Sequence, residues 1–198
     1  PAQSSRLRWS SPSLTLNPFP ATGFIRCSGR ATCPMKSEAF RSSHAQLQAM
    51  GNEWPDFIGK RGGDGLIAWR GVLRPRAMPY AICVLWWPGK IDRPYVMVID
   101  PPIAPPEGKT YAQIPHLMYN ADKPELSGLC LFDPEGKEWT PADRIAETTM
   151  RWASEWLHYY ARGHMCGEWL APGVGPESVA SLTRSEADAI EEAAAHVY

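Results

Sequence analysis

Apolar residues change their spacing along this chain. Before residue 36 no helical or strand period is sustained. From Met35 onward Phe40, His44, Leu47 and Met50 recur at intervals of three and four. That stripe predicts a helix, with Gly51 placed to supply a left-handed stop. The period then shortens. Residues 66–73 (LIAWRGVL), 80–87 (YAICVLWW) and 94–99 (PYVMVI) are rich in β-branched and aromatic residues. Pro75, Pro79, Pro88, Pro94 and the pair Pro101-Pro102 punctuate them, so they read as strands. Their links are too short for parallel crossovers, which need about a dozen residues or more. These three strands are expected to form an antiparallel meander. Residues 101–129 have weak periodicity, and a stretch of that length is usually functional or disordered.

The helical period returns after Thr140-Pro141-Ala142-Asp143, a hydroxyl cap followed by proline at the first helical position. Ile145, Thr149, Trp152, Trp156 and Tyr160 keep one face, and Gly163 is a natural stop. A last amphipathic helix is expected from Thr183 to the end. Thr183 and Glu186 are spaced as a capping box, with Ile190, Ala194 and Val197 apolar. Helix, antiparallel strands, irregular segment, helices is the order of an α+β domain.

Composition narrows the class. A length of 198 residues fits one domain with or without tails. The 20 Lys+Arg and 21 Asp+Glu residues leave a net charge of -1, which excludes a globally basic nucleic-acid binder. The longest apolar run, Tyr80 to Trp87, is far below the roughly 20 residues of a membrane helix. Five cysteines without a C-x-x-C pair argue against a disulfide framework or a zinc ribbon, and for a reducing, cytoplasmic setting. Twenty prolines argue against an all-helical bundle. The first 36 residues contain arginines, serines and prolines but no acid. Residues 1–35 therefore read as a disordered leader. A transit peptide, or an upstream artefact with Met35 as the natural start, is the alternative. Cys27 and Cys33 fall there. Lys60 to Gly65 is Gly-rich but lacks the phosphate-loop order, and reads as a turn.

Chemistry concentrates in His116 to Trp139, HLMYNADKPELSGLCLFDPEGKEW. Cys130 lies between the long irregular segment and a turn at Asp133-Pro134-Glu135-Gly136. A cysteine between leucines is often a buried small hydrophobe. His116 on its own is commonly a loop-fixing residue. Cys83, mid-strand, reads as packing. His164 and Cys166 have metal-ligand types but no second pair nearby. No cofactor site and no metal site is expected.

Three segments together resemble the ubiquitin-conjugating enzymes: Pro115-His116, Gly128-Leu129-Cys130-Leu131 and Trp139-Thr140-Pro141. The likeness spans about residues 36–175, leaving 176–198 as a C-terminal helical extension. The closer likeness is to a bacterial branch associated with CBASS anti-phage operons. It rests on Leu129-Cys130-Leu131-Phe132, Trp139, Glu155-Trp156-Leu157-His158-Tyr159-Tyr160 and Gly167-Glu168-Trp169. The resemblance implies a ubiquitin-conjugating fold, with an N-terminal helix, a meander of about four strands, a long active-site segment and C-terminal helices. Members of the branch occur with and without a fused activating domain; the short chain and the lack of a nucleotide-binding loop lead to the expectation of a stand-alone form. The resemblance also implies a catalytic Cys130 that carries an acyl group as a thioester and passes it to an amine. The implied partners are a CD-NTase-like cyclic-oligonucleotide synthase, whose C-terminus would be the acyl group, or a ubiquitin-like protein. A separate activating enzyme is a further implied partner; nucleic acid and membrane are not. The family's His-Pro-Asn tripeptide is absent, since Leu117 and Met118 follow His116, and His116 lies fourteen residues before Cys130. Asn120 is the nearby amide for an oxyanion role, and backbone amides around Gly128 to Cys130 are alternatives. His116 would shape the loop more readily than act as a base. A non-catalytic binding module of the same fold is one competing expectation. A papain-like hydrolase pairing Cys130 with His158 or His164 is another.

Overall fold

The computed structural model describes residues 42–132, 138–167, Trp169 and 182–197. The expected leader, Phe40, the turn after Phe132 and both expected domain boundaries lie outside the described residues.

The order is α1 (Ser43–Glu53), β1 (Ile58–Arg61), β2 (Ile67–Leu73), β3 (Tyr80–Trp87), β4 (Ile91–Asp100), β5 (Leu117–Met118), β6 (Gly128–Leu129), α2 (Thr149–Cys166) and α3 (Arg184–Val197). The class is α+β. The strands form one six-stranded sheet in the order β1-β2-β3-β4-β6-β5, antiparallel throughout. Six strands replace the expected four or so. β1 takes Lys60 and Arg61 from the expected Gly-rich turn; it is a short edge strand with every residue exposed, so no buried period marks it. Its Gly59 is there for space, since a Cβ would lie 2.9 Å from Leu47 Cδ2 and 3.0 Å from Trp69. β5 and β6 are two residues each, too short for a period to show. Pro94, expected to bound a strand, lies inside β4 beside the register shift between Leu85 and Trp87. A residue without an N–H is tolerated at such an irregularity.

The apolar run in β3 is unbroken because both faces of the sheet are covered. Ile67, Trp69, Ile82, Val84, Trp86, Val96 and Val98 face one core with α1 and α2. Alternating with them, Leu66, Ala68, Cys83, Leu85, Trp87, Tyr95 and Met97 face a second core. That core is roofed by Ala189, Ile190, Ala193 and Ala194 of α3. The small residues let α3 lie close to the sheet. The last helix is thus a layer of the fold rather than an accessory. Its capping box is present as the spacing predicts: the Thr183 N–H donates to Glu186 Oε2 (2.9 Å) and the Glu186 N–H to Thr183 Oγ1 (3.2 Å). Arg93 pairs with Glu186 at 3.1 Å and Lys90 with Glu192 at 2.8 Å, and Lys123 pairs with Glu191.

Two helices begin elsewhere than expected. α1 starts after Ser42, whose hydroxyl accepts the Ala45 N–H. It runs through Gly51 to a cap at Trp54, and buries Gln46 and Met50 while His44 is exposed. α2 starts at Thr149, not after Thr140. Thr140 does bond the Asp143 carboxylate through N–H (2.7 Å) and Oγ1 (2.9 Å), but this closes a single turn. The next backbone groups are taken by α1. The Ile145 N–H donates to Gln46 Oε1 (3.0 Å), Gln46 Nε2 to the Asp143 carbonyl (2.7 Å), and Trp54 Nε1 to the Ala146 carbonyl (2.9 Å). With those groups satisfied by side chains, the helical ladder waits until residue 149. It continues past Gly163 and ends at Gly167, whose φ of 76° is the left-handed cap.

Candidate active site

Leu117 pairs with Leu129 and Met118 with Gly128. The next position along puts His116 opposite Cys130. There the Cys130 N–H donates to the His116 carbonyl at 2.9 Å. The Trp156 Nε1–H, reaching over from α2, donates to the same oxygen at 3.0 Å. One carbonyl therefore takes a donor from the cysteine strand and one from the long helix. His116 presents it from a φ of 54°, a left-handed conformation that non-glycine residues rarely adopt. The Trp169 ring lies 6.2 Å from the imidazole and 5.5 Å from the Trp156 ring.

The other face of β6 rests on Tyr95. Its ring lies so close to Gly128 that a Cβ there would sit 2.3 Å from Cζ. Its hydroxyl donates to the Leu126 carbonyl at 2.8 Å. Burial pushes the Tyr95 phenol pKa far up, with Arg93 opposing the shift. Cys130 itself is half-buried, packed against the core beneath α3, with Sγ 3.9 Å from the Phe132 carbonyl. Phe132 then turns between Trp139 and Trp152, with ring centroids 6.2 and 5.7 Å away.

Asn120 lies four residues beyond His116, two past the end of β5. Its Oδ1 accepts the N–H groups of Asp122 (3.1 Å) and Lys123 (2.9 Å), and its own N–H donates to Ser127 Oγ (3.0 Å). These bonds make Asn120 part of the turn that returns the chain to β6. The Cys130 amide, another expected oxyanion donor, is engaged by His116. His164 Nε2 lies 2.7 Å from the Ala104 carbonyl, while His158 lines an open cavity with Trp54, Pro75 and Arg76. The thiol follows β6 instead of opening a helix, where a papain-like nucleophile would sit, and this counts against a papain-like arrangement.

The other described cysteines differ sharply. Cys83 is fully buried, and burial pushes its thiol up to about 12. Cys166 is exposed at the end of α2. Among the described residues no three His, Cys, Asp or Glu side chains are grouped to hold a metal. No helix among them is long and apolar enough to cross a membrane.

Sequence patterns could not reveal what holds Cys130. Trp156 read as one member of a helix stripe and Tyr95 as one residue of a strand. Period-two alternation from Val96 would have placed Tyr95 on the opposite face, but nothing in it brings that ring under Gly128.

A family model described as Type II CBASS E2 protein matches residues 46–176, about two thirds of the chain. The chain belongs to this family. No curated protein matches it. The match runs from within α1 to beyond α2 and includes His116, Cys130, Trp156 and Trp169. It stops before α3. As a Type II CBASS E2 protein the chain is E2-like and belongs to bacterial antiviral defence, with partnering within a CBASS operon.

Proposed function

We propose that this CBASS E2 protein is a cysteine acyltransferase with a ubiquitin-conjugating fold, and that Cys130 carries the acyl group. The observation that carries this reading is the state of Cys130. It is half-buried at the end of a strand whose backbone is clamped by the His116 carbonyl, while Cys83 is sealed in the core. The thiolate sulfur attacks the carbonyl carbon of an activated carboxyl terminus, a C–S bond forms, and the activating group leaves with its electron pair. An amine then attacks the thioester carbonyl. The C–N bond forms, the C–S bond breaks, the thiolate returns to Cys130, and the nitrogen loses its proton to solvent. No dedicated base is required, because the donor arrives activated. His116 acts through its backbone, holding the cysteine strand. We assign Asn120 to the loop and not to the oxyanion.

The acyl donor proposed is the C-terminus of a CD-NTase-like cyclic-oligonucleotide synthase, delivered by a separate activating enzyme. A ubiquitin-like protein is the second donor class. The protein is incubated with the synthase, activating enzyme and ATP, then run on non-reducing gels. A thiol-sensitive adduct should form, survive Cys83→Ala and Cys166→Ala, and vanish in Cys130→Ala. Cys130→Ser should trap a thiol-resistant ester. An adduct that persists in Cys130→Ala would sink the assignment, and absence of any adduct in the native protein would favour a non-catalytic binding module.

A further inference from the structure

We propose that Trp156 is a positioning residue for the Cys130 thiol, acting through the His116 carbonyl. The inference rests on Cys130 being the reacting thiol. The role of Trp156 runs through a backbone oxygen. Its indole N–H holds the oxygen that receives the Cys130 N–H, at 3.0 and 2.9 Å respectively. The His116 backbone is left-handed at φ 54°, a conformation that a side chain disfavours and that persists only when its surroundings enforce it. Two donors on one carbonyl are such an enforcement. Trp156 is itself fixed: it is buried, stacked on Tyr160 with centroids 5.4 Å apart and covered by Trp169. Tyr160 in turn is tied to Ala104, donating to its carbonyl and accepting its N–H, both at 2.9 Å. The rigid helix α2 thereby sets where the backbone of Cys130 lies. An acyl transfer needs the sulfur within a narrow range of geometry, so losing this support lowers the rate of the step more than donor binding.

The test removes the indole N–H alone. Trp156→Phe does so with some loss of ring area. Replacing Trp156 by its benzothiophene analogue does so at constant shape, and serves if the phenylalanine variant folds poorly. One neutral hydrogen bond predicts a three- to tenfold effect, to order of magnitude (about 3–10-fold). Amide exchange at Cys130, followed by NMR, should rise by that factor while Ile82 and Val84 in β3 stay unchanged. The single-turnover transfer rate should fall by a similar factor, with the half-saturating donor concentration unaltered. Adding His116→Gly to Trp156→Phe should return Cys130 exchange towards the native value, because glycine adopts positive φ without strain. A merely structural tryptophan would show no such rescue. Unchanged exchange at Cys130 in the benzothiophene variant, or no rescue by glycine, would overturn the proposal. If the native protein forms no adduct, the thioester reading fails, and the exchange comparison still decides whether Trp156 positions Cys130.

Discussion

Gly128→Ala should destabilise the domain through one identifiable contact. Gly128 does not have a left-handed φ, so alanine can adopt its backbone conformation and the effect is steric. The added methyl would meet Tyr95 Cζ at 2.3 Å, Cε2 at 2.5 Å and Oη at 2.6 Å. Ordinary contact begins near 3.4 Å, so the ring or the strand must move by about an ångström. The ring has no room: Tyr95 is fully buried and its hydroxyl is bonded to the Leu126 carbonyl at 2.8 Å. Overpacking of a filled core costs about 1–3 kcal/mol. Breaking the Tyr95 hydrogen bond adds about 1 kcal/mol. The sum, roughly 2–4 kcal/mol, corresponds to a Tm lower by about 5–15 °C in a domain of this size. Thermal unfolding followed by circular dichroism measures it. The contact is isolated by a double-mutant cycle with Tyr95→Leu, which removes the obstructing ring atoms. The double variant should be markedly more stable than the two single losses predict. Additive losses, or a Tm within 2 °C of native for Gly128→Ala alone, would refute the reasoning.

Ile190→Ala tests whether α3 is a cooperative layer of the domain. The side chain is 1% exposed in the core under α3, so its truncation should cost about 2–4 kcal/mol. The urea midpoint should fall for the whole transition, and a loss below about 1 kcal/mol would show α3 to be peripheral. Alkaline stability tests the burial of Cys83, whose thiol is raised by burial from 9.0 to about 12. A folded pKa above the unfolded one means that the unfolded chain loses the proton first. This contribution is therefore complete below pH 9 and lost as pH rises towards 12. Burial also raises Tyr80, Tyr95 and Tyr160, which add to the slope with the same sign. Cys83→Ala should flatten the decline of the urea midpoint between pH 9 and 11, and parallel profiles would exclude the buried thiol as a cause.

The strands whose side chains fill two cores were the easiest to read. β3 was legible to the residue because all eight positions are apolar and seven of them are buried, on alternating sides. The capping box of α3 was legible because it is a local exchange between Thr183 and Glu186. The start of α2 was not, because Gln46, 97 positions away from its partner Asp143, satisfies backbone groups that a helix would use. Local spacing at Thr140 carries no trace of that competitor. The same limit applied to the site. Cys130 stood out by its neighbours in sequence, and so did His116. The distance between His116 and Asn120 became meaningful only when the β5–β6 register was fixed, and that register rests on two residue pairs.

Taken together, the contacts around Cys130 place its support on both faces of the sheet. From the α2 side, Trp156 holds His116, and His116 holds the Cys130 backbone. From the α3 side, Tyr95 holds Leu126 and packs under Gly128. The first turn of α3 reaches the same place, since Glu186 pairs with Arg93, two residues before Tyr95. Cys130 also packs on the core that α3 roofs. The family match ends at residue 176 and omits this helix, yet the thiol's own surroundings include the layer that it covers. A site built this way holds the Cys130 backbone from two directions. Under the proposed thioester chemistry, that supplies a held position for the thiol where an activated donor makes a strong base unnecessary.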